Sequence, residues 1–78
     1  MTPSDEAIRA AVLTLALERG RGRSLCPSEA ARALAVDWRA VMAAVCRGGA
    51  AMPEVRATRR GHEVPADAPG GPIRLSLR

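Results

Sequence analysis

Between Ser24 and Arg47 the chain reads SLCPSEAARALAVDWRAVMAAVCR, and this stretch restricts the fold more than any other. It reads as two short helices joined by a tight corner. Cys26-Pro27-Ser28-Glu29 opens the first. Proline at the first helical position gives up an amide that has no intrahelical partner anyway, and Glu29 is placed to reach back to the amides at the helix start. Ala30, Ala31, Ala33 and Leu34 supply a thin apolar face that lets a neighbouring helix come close. A helix this short depends on such neighbours to form. Val36-Asp37 makes the corner, with Asp37 a suitable N-cap, and Trp38, Val41, Met42 and Val45 form the buried stripe of the second helix. Gly48-Gly49 weaken its last turn and Pro53 bars continuation beyond Met52, so it is expected to end near Arg47 with fraying as far as Ala51.

The flanks fit this centre. Before it, Thr2 or Ser4 can cap a helix that has Pro3 in its first turn and Asp5 and Glu6 at the positive end of its dipole. Ile8, Ala11, Val12, Leu15 and Ala16 make its stripe, Leu13 and Leu17 widen it, and Gly20 and Gly22 end it. After the centre, Val55 to Thr58 alternates, Arg59-Arg60-Gly61-His62 turns, and Glu63-Val64 returns. A loop rich in Pro and Gly follows, and then a strand with Ile73, Leu75 and Leu77 on one face. The expected elements are helices over about 3–19, 27–35 and 38–47 and strands over about 55–59, 62–64 and 72–77. This is a mainly α chain with a small antiparallel β-ribbon. A helix-turn-helix followed by a ribbon is the pattern of a winged-helix domain, and one such domain is expected over residues 1–78.

At 78 residues a single core is only just sufficient. Two cysteines are too few for a disulfide-stapled scaffold, no secretory signal is visible, and the apolar run Ala10–Leu17 is too short to span a bilayer. A cytoplasmic protein with reduced thiols and no membrane partner is expected. The twelve basic residues are all Arg and outnumber eight acidic ones, for a net charge of +4. Ala, Gly, Pro and Arg dominate throughout, as in a GC-rich genome, which discounts this charge as evidence for a polyanion. Its summed field still attracts phosphate.

Four segments together resemble a small bacterial domain-of-unknown-function family described as winged-helix-like. They are the run Cys26-Pro27-Ser28-Glu29-Ala30-Ala31-Arg32, the pair Trp38-Arg39, the turn Arg60-Gly61, and the closing Gly71-Pro72-Ile73-Arg74-Leu75. The resemblance covers nearly the whole chain. It departs at Gly48-Gly49 and Met52-Pro53, where such proteins carry a longer third helix. It implies the fold and a bacterial setting, and no activity.

If the domain meets DNA, its third helix presents Arg39, Ala40, Ala43, Cys46, Arg47 and Ala50, of which only the arginines can reach base edges. Sequence-specific reading by a monomer is therefore not expected. The hairpin adds Arg56, Arg59, Arg60 and His62, suited to phosphates or a minor groove and equally to a solvated tip. The candidate nucleic-acid residues are thus Arg39, Arg47, Arg56, Arg59, Arg60 and His62. The linker Arg19-Gly20-Arg21-Gly22-Arg23 reads first as a solvated loop and second as a phosphate contact.

Trp38 is expected as a core anchor, its indole N–H bonded to a backbone carbonyl or to Glu29. As the sole aromatic it argues against single-strand stacking. Cys26, Cys46 and His62 match no zinc spacing, and Cys26 reads more readily as a buried residue or N-cap than as a reactive thiol. One His, no Tyr and no paired carboxylates leave no nucleophile–base pair, so no enzymatic role, cofactor or small-molecule substrate is expected. Two functions remain in view. One is electrostatic binding of duplex DNA, weakly or as a homodimer. The other is a protein–protein interaction module of the same fold with no nucleic-acid role.

Overall fold

The computed structural model describes residues 3–78. The first helix, α1 (Asp5–Arg19), starts where Ser4 caps it: the Ser4 hydroxyl accepts from the Ala7 amide at 3.1 Å, and Asp5 and Glu6 occupy the first turn. Pro3 therefore precedes the helix instead of opening it, and Thr2, the other candidate cap, lies outside the described residues. Gly20, at φ 82°, ends α1 in a conformation that side chains rarely adopt.

A two-residue strand, β1 (Ser24–Leu25), leads into α2 (Pro27–Leu34). Pro27 sits at the helix start, and Glu29 accepts from the Cys26 amide at 2.9 Å through one carboxylate oxygen. Its other oxygen pairs with Arg19. One glutamate thus caps α2 and ties it to the end of α1.

The third helix departs from expectation in both phase and length. A 3-10 turn, Trp38–Val41, comes first, and α3 follows over Met42–Ala50. Gly48 and Gly49 lie inside α3 and do not end it. At Gly48 a β-carbon would come 2.6 Å from Ile8 Cγ2, and at Gly49 it would touch Ala66 and Leu75 at 3.6 Å. The pair is a notch into which α1 and β4 settle. Burial against those neighbours overrides the weak helix propensity of glycine.

The chain closes with β2 (Val55–Arg59), β3 (His62–Val64) and β4 (Arg74–Leu77) in one antiparallel sheet of order β1-β4-β2-β3. The last strand starts later than expected because Pro72 and Ile73 still belong to the preceding loop. It lies between β2 (Val55 opposite Leu77, Ala57 opposite Leu75) and β1 (Leu25 opposite Leu75). The fold is therefore three helices with a four-stranded sheet, a mixed α/β arrangement in which β1 completes what sequence alone shows as a ribbon.

Leu25, Val55, Ala57 and Leu75 put the buried face of the sheet against Ile8, Val12, Ala16, Ala30, Ala31, Val41 and Val45 of the helices. Trp38 is not among the buried residues; it packs partly covered against their edge. No helix is long and apolar enough to cross a membrane among the described residues.

Candidate nucleic-acid interface

The hairpin between β2 and β3 closes with Arg59 opposite His62, leaving Arg60-Gly61 as a two-residue turn. Both turn residues have positive φ, 53° and 83°. This is the left-handed turn that matches strand twist, normally built with Asn-Gly. Arg60 is the one non-glycine residue with positive φ among the described residues, a conformation that costs about 1–2 kcal/mol. Its side chain is exposed at the tip and makes no hydrogen bond or ion pair among the described residues.

Arg59 has a different fate. Its guanidinium donates to the Gly71 carbonyl at 3.0 and 3.3 Å, to Pro69 at 3.2 Å and to Ala68 at 3.3 Å. Gly70, at φ 122°, lies so close that a β-carbon there would fall 2.9 Å from an Arg59 nitrogen. The guanidinium is the hub of the loop between β3 and β4, so its donors are occupied by the protein itself.

Strand alternation turns Arg56 away from Arg59. It stands exposed opposite Ser76, on the rim of a groove of about 630 Å³ formed by the end of α3 and the hairpin. Arg78 and Glu63, paired at 3.0 Å, share that rim. His62 is exposed beside the tip.

The helical arginines also separate. Arg47 is exposed on a groove of about 380 Å³ between α3 and the start of α1, with Asp5, Arg9 and Gly48. Arg39 stacks on Trp38, its guanidinium carbon 4.4 Å from the ring centroid, and Arg32 of α2 stacks on the same ring at 4.5 Å. Both carboxylate oxygens of Glu29, an expected indole partner, are already engaged. The six candidate residues thus occupy the tip, the loop hub, an open sheet position, the α1–α3 groove and the α2–α3 corner; Arg59 and Arg60 line one groove with Gly71 and Pro72, and no groove among the described residues collects all six.

Sequence reasoning missed Arg32 and the inward role of Arg59. The signal for Arg32 was present: a corner of three residues brings the last turn of α2 against Trp38. For Arg59 the signal was weaker, a loop whose Gly-Gly-Pro end leaves carbonyls without helical or sheet partners. The linker arginines are exposed, Arg21 between Gly20 and Gly22, both at φ 82°, and Arg23 just after them.

The titratable groups add little chemistry. Burial first, then the nearby Asp67 and Cys26, push the Cys46 thiol up from its ordinary value. The Arg9 hydrogen bond holds the Glu54 carboxyl down. No three His, Cys, Asp or Glu side chains gather into a metal-holding group among the described residues.

Fold and surface together define a small α/β domain whose exposed cations include those of a hairpin tip, a helix corner and a glycine-containing linker. Residues 5–78 match the family model described as "Protein of unknown function (DUF3253)", and the chain belongs to that family. No curated protein matches it.

Proposed function

We propose that this chain is a winged-helix domain of the bacterial cytoplasm that binds duplex DNA through its phosphate backbone, without enzymatic activity. The element order supports the reading. A strand lies between the first two helices, a tight corner joins α2 to the third, and the sheet's return strand sits beside β1. The observation that carries it is Arg60. A long cation is held exposed at a hairpin tip in a backbone conformation that Asn or Gly adopts at less cost, and strain of this kind collects at functional sites. Arg47 and Arg56, each without an acidic partner among the described residues, supply further phosphate contacts. Arg59 does not, since its donors already serve the loop.

The alanine face of α3 offers little to base edges, so binding is electrostatic and weakly selective. That face, with Ala43 and Ala50 exposed beside Ala40 of the preceding 3-10 turn, is also the observation that favours the second reading, a protein-docking or homodimer surface. Fluorescence anisotropy on mixed-sequence duplex separates the two. Micromolar binding at low salt, falling steeply toward physiological salt and several-fold in Arg60→Ala, is the expected result. An absence of binding at micromolar protein in low salt overturns it, and concentration-dependent self-association through α3 would favour the second reading.

A further inference from the structure

We infer that Arg32, Trp38 and Arg39 form a preorganised clamp for phosphate at the α2–α3 corner, with Arg32 a binding residue and Trp38 its positioning platform. The inference rests on the DNA-binding reading for its natural ligand, the phosphodiester backbone. With their carbons 4.5 and 4.4 Å from one ring centroid, the two guanidinium groups lie no more than about 9 Å apart. That bound is short enough for the pair to hold two neighbouring phosphoryl groups.

Stacking engages the face of a guanidinium and leaves its five N–H donors directed outward around the rim. Neither arginine forms an ion pair among the described residues, and Asp37, between them in sequence, pairs with neither. The electron-rich ring offsets the repulsion that two such cations exert on each other. It also fixes side chains that would otherwise lose rotamer freedom on binding. Arg32, Val36, Asp37, Arg39 and Ala40 are all exposed, so the corner is open to a ligand. A planar fork with several donors matches a tetrahedral oxyanion better than an ammonium does, which favours phosphate as the ligand.

Trp38 is the only tryptophan and the chain has no tyrosine, so its emission reports on this corner alone. Inorganic pyrophosphate, titrated into the full chain at constant ionic strength, should change that emission saturably. The change should vanish in the double variant Arg32→Ala/Arg39→Ala and weaken in Arg32→Lys/Arg39→Lys, which keeps charge but not the stacked fork. Duplex anisotropy on the same proteins should show the alanine variant's salt slope reduced by about two. An unchanged melting temperature certifies that the variants are folded; if the alanine pair unfolds, the lysine pair carries the test. If pyrophosphate leaves the emission unchanged, or the lysine pair responds like the parent, the clamp is overturned. Duplex binding that persists undiminished in the folded alanine variant overturns the clamp while leaving DNA binding intact. A pyrophosphate response without duplex binding supports the clamp and sinks only the DNA reading. Equal displacement by a glutamate-rich peptide overturns the phosphate assignment.

Discussion

The hairpin tip and the α2–α3 corner each carry two arginines, and they treat them in opposite ways. At the hairpin the pair is split. Arg59 turns in and donates to the carbonyls of Ala68, Pro69 and Gly71, while Arg60 stands in solvent on a left-handed turn. At the corner the pair is kept together, both guanidinium groups resting on Trp38 with their donor edges open. An arginine's availability to a partner is thus set by whether carbonyls or an aromatic face lie within its reach. Carbonyls occupy its donors; a ring occupies only its face.

The sharpest way to break this contrast is Arg59→Ala. Removing a charged donor from three carbonyls should lower stability by about 2–3 kcal/mol, and limited proteolysis should cut first within residues 66–71. Arg60→Ala should leave the melting temperature nearly unchanged. Equal losses in the two variants would mean the hairpin arginines are not functionally split. Next in size is Gly70→Ala, expected to cost about 1–2 kcal/mol because φ 122° suits no β-carbon and the new methyl group meets the Arg59 guanidinium. Combined with Arg59→Ala it should add only the backbone part of its cost, and full additivity in thermal melts would show that Gly70 does not serve that contact.

Arg60→Asn reverses the sign. It should stabilise the fold by about 0.5–1 kcal/mol by suiting the turn, while weakening duplex binding. The smallest effect lies away from both regions. Arg9 holds the Glu54 carboxyl below its ordinary range. A lowered folded-state value contributes stability that is complete above the ordinary carboxylate range and is lost as pH falls through the lowered value. Arg9→Ala should flatten that acid limb slightly, as expected of an exposed pair, in urea titrations repeated across acidic pH.

Much of the scaffold was legible in the sequence because its signals are local. Pro27 and Glu29 mark the start of α2, Gly20 marks the end of α1, and the alternation of Val55 to Thr58 and of Leu75 and Leu77 marks strands. The third helix runs firmly through Gly48 and Gly49, where local signals give only a weakened last turn, because the notch they provide for Ile8 and Leu75 is a property of packing. Trp38 was assigned to the core on residue type. In the structure small side chains such as Ala30 and Ala31 fill the interior, and the indole is left at its edge under two guanidinium groups.

The sequence by itself determined the start of α2, the tight corner, the hairpin turn and the faces that β2 and β4 bury, because capping, proline geometry and periodicity act over a few residues. Only the tertiary structure decided how the twelve arginines divide between structure and solvent, and that β4 lies between β1 and β2. Those outcomes depend on which carbonyls, rings and carboxylates arrive beside each side chain from elements up to fifty residues away, as when Arg74 donates to the Ser24 hydroxyl across the sheet at 3.0 Å. A local pattern carries no record of such neighbours.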